Sequence, residues 1–266
     1  MNKSTLRLLS AFVLGLVIPL ACSVAYPSTQ VVDKRQLLRD ARQKYYNLKR
    51  AGLVEFESNV QPNWDVVLGP QTNAATLKLL NAIHFSMTID SQSTFNMFHR
   101  TDDYAANQKA AGALDPIYQG MYDAVSRFIS TWSIFMLTSP FPDPDSQCEI
   151  EQTIDQIRFS RKEQNNQVTT VTNNDFRVTE KTVAGEGFTA SLKPVLETTA
   201  TGYILKGYSG DYRTSSDARE TLLKVSVDYQ EINGLQLPRK VYLETVYEKN
   251  PAQIEWLFTD YHVKVR

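Results

Sequence analysis

Two cysteines and three histidines are all that the 266 residues contain. So small a supply excludes a disulfide scaffold, an Fe–S cluster and a Cys-rich zinc site. Excess charge is equally scarce. The 28 Lys and Arg are met by 29 Asp and Glu, a net charge of -1, which leaves no basic footprint for nucleic acid. Nucleotide and hydrolase signatures are missing as well. Gly185-Glu186-Gly187 lacks the third glycine and the strand–helix context of a dinucleotide site, and there is no Gly-x-Ser-x-Gly elbow and no His-Glu-x-x-His. His84, His99 and His262 lie far apart in the chain, without the close pair that marks most metal sets. Asp143-Pro144-Asp145, with Glu149 and Glu151, offers oxygens for Ca²⁺ but no glycine turn, and reads as a solvated loop. No nucleophile–base spacing is visible. The chain therefore reads as non-enzymatic, with no metal site and no cofactor.

What is present begins with an address. Residues 1–25 read as a signal peptide: Lys3 and Arg7 start it, Leu8 to Leu20 is apolar apart from Ser10, and Ser23-Val24-Ala25 supplies the small residues of a cleavage site. The apolar stretch is shorter than the roughly 20 residues a bilayer span needs. An exported, periplasmic protein starting at Tyr26 follows. Leu20-Ala21-Cys22 also resembles the end of a lipobox, and the alternative is a protein lipid-anchored through Cys22. Without Cys22, Cys148 is the remaining thiol, and burial as a small hydrophobe is its expected fate.

Helical spacing starts at Asp33, a suitable N-cap, and runs to Gly52. Leu37, Leu38, Ala41, Tyr45 and Leu48 form its apolar side, and Lys34, Arg35, Arg39, Arg42, Lys44 and Lys49 its basic side. The basic side suits either solvent or anionic lipid headgroups. The period then switches to two over Leu53–Val60, with Val54, Phe56, Ser58 and Val60 sharing one face. A second helix capped by Thr72 or Asn73 follows, then a hairpin of Phe85–Ile89 and Thr94–Phe98. Asp115-Pro116 opens the longest helix, which runs to about Thr138. Phe128, Ile129, Trp132, Ile134, Phe135, Met136 and Leu137 make its second half apolar nearly all round, so it is buried or faces lipid.

From Ile150 onward strand patterns follow one another, apart from a possible helical turn at Ser215–Arg219. They are divided by turn signals that include Asn173-Asn174, Ser209-Gly210-Asp211 and Asn233-Gly234. Sequential strands with short turns make an antiparallel meander. Its aromatic content (Tyr 13, Phe 12, Trp 3) points either to an ordinary helix-covered core or to a concave face plugged by the long helix. In the second case an acyl chain displaces the helix, since hydrocarbon replaces hydrocarbon at little cost.

Two stretches carry a family likeness. Leu37–Val60 (LLRDARQKYYNLKRAGLVEFESNV), a helix leading straight into a strand, and Val227–Glu244 (VDYQEINGLQLPRKVYLE), a Tyr-rich strand, Asn-Gly and a Leu-Pro strand opening, resemble the LolA-like envelope family of lipoprotein carriers. The resemblance implies an α+β fold. A large antiparallel β-meander would form an unclosed half-barrel, with N-terminal and inserted helices on its concave face and a cavity for acyl chains. Residues 26–266 would then be one domain with a helical insertion at about 62–140, which departs from a compact carrier. The candidate cavity residues are Val54, Phe56, Phe128, Ile129, Trp132, Phe135 and Met136. The expected partner is a lipid or a lipidated protein, with contact to a membrane surface. The alternative is a periplasmic sensor or structural interaction protein of the same fold with a filled core. Carriers of this family hold their lid with an arginine, and the sequence matches none to that role. Cargo, docking partner and oligomeric state are not legible.

Overall fold

The structure, a computed structural model, describes residues 33–69, 73–101, 108–214, 220–247 and 250–266. The expected signal peptide, Cys22 and the turn expected at 215–219 lie outside the described residues.

Asp33 begins the first helix as its sequence suggests. Its carboxylate accepts the N–H groups of Arg35 and Gln36, and helix α1 runs over Lys34–Gln43 with Leu38 and Ala41 buried. The expected continuation to Gly52 does not occur. The backbone at residues 44–46 instead pairs with a strand: Tyr203 N–H donates to the Lys44 carbonyl, and Tyr46 N–H donates to the Tyr203 carbonyl. Gly202 permits this approach, because a Cβ there would stand 2.6 Å from the Lys44 oxygen. Tyr45 and Leu48 are thus buried by an irregular segment rather than a helix.

Strand β1 (Leu53–Pro62) follows, then the short α2 (Trp64–Leu68), α3 (Ala74–Asn81, capped by Asn73), the hairpin β2 (Ile83–Asp90) and β3 (Phe95–Thr101), and the long α4 (Gln108–Met136). Nine strands complete the chain: β4 (Glu149–Gln152), β5 (Ile157–Glu163), β6 (Asn166–Thr172), β7 (Val178–Gly185), β8 (Phe188–Thr199), β9 (Gly202–Thr214), β10 (Glu220–Ile232), β11 (Leu235–Tyr247) and β12 (Asn250–Val265). Helix α4 starts well before the expected Asp115-Pro116, and Pro116 sits inside it. The proline withholds a single main-chain donor there without ending the helix.

All strands join one antiparallel sheet in the order β3-β2-β1-β12-β11-β10-β9-β8-β7-β6-β5-β4. The meander from β4 to β12 is extended by β1, which pairs with β12 and carries the β2–β3 hairpin on its other side. The ends, β3 and β4, do not meet, so the fold is an α+β half-barrel that stays open. At Asn233-Gly234 both residues take positive φ (52° and 77°) and Ile232 faces Leu235, the two-residue hairpin its sequence announces. Ser209-Gly210-Asp211, expected as a turn, lies inside β9 instead. Gly210 is paired on both sides, with Leu192 of β8 and Leu223 of β10, and that ladder outweighs the local turn preference.

The sheet curls around α4. Tyr122 meets Phe95 on β3, and ten residues later Trp132 reaches Tyr229 on β10. Ten residues advance a helix by about 15 Å, whereas five strand spacings cover about 24 Å on a flat sheet. Residues Asp33–Arg266 form one compact unit. Among the described residues no helix is long and apolar enough to cross a membrane.

Candidate functional site

The interior of the half-barrel is built on the second half of α4. Its apolar residues Val125, Phe128, Ile129, Trp132, Phe135 and Met136 are buried, while Arg127 and Ser130 stay exposed on the opposite side. Phe56 of β1 stands edge-on to Trp132, with centroids 6.3 Å apart. Phe128 packs on Trp256 and Phe258 of β12, at 6.1 and 6.2 Å. Phe135 meets Tyr45, which meets Phe141 and Tyr203 in turn. Of the seven expected cavity residues, six come together here, and Phe56, Phe128, Ile129, Trp132, Phe135 and Met136 are each no more than 2% exposed.

Val54 does not join them. It is 39% exposed, while its neighbour Leu53 is fully buried. The pairing of β1 with β12 slips between Leu53 and Glu55. An irregularity of that kind shifts the alternation of faces by one residue, so the period-two reading that placed Val54 with Phe56 fails at the start of the strand.

Polar groups inside this apolar space are few and tied down. The Trp132 indole N–H donates to the Tyr229 hydroxyl at 3.1 Å, and that hydroxyl donates to the Leu205 carbonyl at 2.5 Å. Burial pushes the Tyr229 phenol far above its ordinary pKa, against the pull of the Trp132 hydrogen bond. Burial also raises Tyr208, to about 12, and Tyr261 further. These phenols stay neutral and act as hydrogen-bond partners rather than as acids. Ser133 of α4 is 5% exposed, and its hydroxyl has no partner among the described residues.

The C-terminal end of α4 is held from α1 and the segment after it. Asn47 Nδ2 donates to the Leu137 and Thr138 carbonyls at 2.9 and 3.0 Å, and Leu48 N–H donates to the Met136 carbonyl. Arg42 Nη1 donates to the carbonyls of Phe141 and Pro142 and to Asp143 Oδ1 at 2.6 Å. Arg35 pairs with Asp145 at 3.1 Å, and Lys34 donates to the Ser146 carbonyl. The Asp143–Asp145 loop keeps its carboxylates largely in solvent, 74% and 81% exposed, and supplies counter-charges to α1. Three residues of the basic face of α1 are engaged by it. Arg42 is the residue the sequence did not single out; only its place on that basic face marked it.

No group of three His, Cys, Asp or Glu side chains suited to a metal ion occurs among the described residues. His99 stacks on Tyr118, 5.5 Å away, and His262 is exposed on β12. Cys148 is a free thiol packed partly against the core. The most displaced base is Lys181 of β7. Burial, aided by the Arg161 charge, lowers its pKa to about 8, and its ammonium donates to the Pro140 carbonyl and to Thr170 Oγ1.

No protein-family model, curated protein or solved structure matches the chain.

Proposed function

We propose that the protein is a non-enzymatic, exported envelope protein that binds lipid acyl chains, or a lipidated partner, between α4 and the concave face of its sheet. The observation that carries this reading is the placement of α4. An almost wholly apolar half-helix fills the trough of an open sheet, against Phe56, Tyr229, Trp256 and Phe258. An acyl chain offers the same kind of surface, at about 0.8 kcal/mol per buried CH₂. A chain of ordinary length thus competes with side chains that contribute roughly 1.5–3 kcal/mol each. The C-terminal end of α4 is tied by Asn47 and Leu48, next to the Arg42 contacts, and its earlier turns pack through Tyr118, Met121 and Tyr122 on β2, β3 and β12. The resemblance of Leu37–Val60 and Val227–Glu244 to LolA-like carriers supports the same reading.

A second reading has its own observation. The six core candidates are buried to 2% exposure or less, as in a filled core, and a filled core suits a sensor or structural interaction protein. Native mass spectrometry of protein purified without detergent separates the two. Lipid adducts, together with a change in tryptophan emission on adding hexadecanol, support acyl binding. A bare mass and unchanged emission leave the interaction protein.

A further inference from the structure

Where α1 and α4 end, beside the turn of the β2–β3 hairpin, a cavity of about 510 Å³ opens. Its lining includes three cations, Arg42, Lys49 and Arg50, and one carboxylate, Asp143. Asp143 is already taken by Arg42 at 2.6 Å. The other two cations have no ion pair among the described residues. The Arg50 guanidinium donates to the Tyr45 carbonyl and makes no other hydrogen bond among the described residues, although a guanidinium carries five N–H donors. Lys49 reaches only Gln92 Oε1, at 3.4 Å. Nearby Asp90 forms no ion pair with them; its carboxylate accepts the N–H groups of Gln92 and Thr94 and is also stabilised by the Lys49 charge. Partial burial and then the Arg42 charge pull the Arg50 pKa below its ordinary value.

The negative pole of α4 lies close by and would oppose an anion. Its last carbonyls are covered, however. Leu48 N–H takes that of Met136, and the Asn47 amide takes those of Leu137 and Thr138. What remains facing the cavity is a planar fork and an ammonium beside neutral donors. Guanidinium forks match phosphate oxygens in pairs, and an ammonium adds a point charge.

We propose that this cavity is a phosphate-binding site, with the Arg50 fork and the Lys49 ammonium as its principal ligands. The phosphate belongs either to a phospholipid headgroup or to a free phosphate ion; the recognising chemistry is shared. The site does not depend on the acyl-binding reading, since no residue of the α4 aromatic cluster contributes a ligand.

The test titrates the full chain with inorganic phosphate by calorimetry. It then measures co-sedimentation with vesicles of phosphatidylglycerol and, as a zwitterionic control, phosphatidylcholine. Arg50→Gln and Lys49→Gln are each expected to weaken binding about tenfold or more, and Arg50→Lys to weaken it less. Arg39→Gln removes an equal charge from an exposed position of α1 outside the cavity and is expected to change it less than twofold. Circular dichroism confirms that each variant is folded. If inorganic phosphate displaces the protein from phosphatidylglycerol vesicles, the site takes a headgroup. Saturable phosphate binding without a vesicle preference makes free phosphate the ligand. The proposal is overturned if neither probe binds saturably, or if Arg39→Gln weakens binding as much as Arg50→Gln. A hexadecanol response that survives in Arg50→Gln leaves acyl binding standing on its own, whichever way the phosphate result falls.

Discussion

The two halves of the sheet differ in what covers them. From β9 to β12 and into β1, the cover is α4, and the buried residues are Val225, Val227, Leu237, Val241, Trp256, Phe258 and Phe56. From β5 to β8, the inner cover includes the loop after α4. Here Ile157, Phe159, Val168, Val178 and Leu196 are buried, but β6 also buries Thr170 and Thr172, and Lys181 stands half-buried on β7. The difference follows from backbone hydrogen bonding. A helix satisfies its own carbonyls and meets the sheet with side chains alone, so the facing strands are apolar. A loop brings bare carbonyls, which need donors once buried. Thr170 and Lys181 both donate to the Pro140 carbonyl for that reason.

The sharpest way to break this comparison is Trp132→Asp. It removes the hydrogen bond to Tyr229 and buries a carboxylate with no counter-charge. Loss of the folded state is expected, read as loss of the cooperative transition in urea. Next comes a matched pair. Phe135→Ala in the helix-covered half should cost about 3–5 kcal/mol if the site does not collapse. Phe188→Ala in the other half, where the ring is partly exposed and stacked on Tyr212 at 5.9 Å, should cost about 1 kcal/mol or less. Similar costs in denaturant titrations would show that the halves are packed alike.

Arg42→Gln comes third. It removes one ion pair and weakens the hold on two loop carbonyls, but Asp143 is 74% exposed. About 1 kcal/mol is expected after allowing for that exposure, together with faster proteolysis in the 139–146 loop. The fourth prediction concerns pH. Lys181 has its pKa lowered to about 8 from an ordinary 10.5, so the unfolded chain binds more protons than the folded one between those values. Stability should therefore rise with pH from about 8 towards 10.5, and Lys181→Met should remove that rise. Urea midpoints measured from pH 7 to 10 check the sign. The smallest effect belongs to Val54→Thr, at an exposed position, within about 0.5 kcal/mol.

Local chemistry made much of the fold readable. Asp33, Asn73 and Asn233-Gly234 act through their own backbone neighbours, and each does what its residue type predicts. The failures occurred where a distant segment overrode a local signal. Tyr203 ends α1 early, β8 and β10 carry β9 through Ser209-Gly210-Asp211, and the slip against β12 turns Val54 outward. In the interior the sequence was enough for the helix residues, because an all-apolar helix face has one destination. It was not enough for Arg42, Lys49 and Arg50. Arg42 and Lys49 find their partners at residues 141–143 and 92, and only folding reveals which charges are left over.

The pairing of β1 with β12 also sets an order of events in time. Leu53 lies opposite Val265, so the seam joins strands from the two extremes of the described chain. Contacts of such long range form late and slowly. Until the 16 residues of β12 have arrived, both β1 and β11 show a bare row of amides and carbonyls, the usual starting point for aggregation. A nascent chain is thus most exposed before β12 is made. Truncation before Asn250 should yield inclusion bodies rather than a smaller soluble domain.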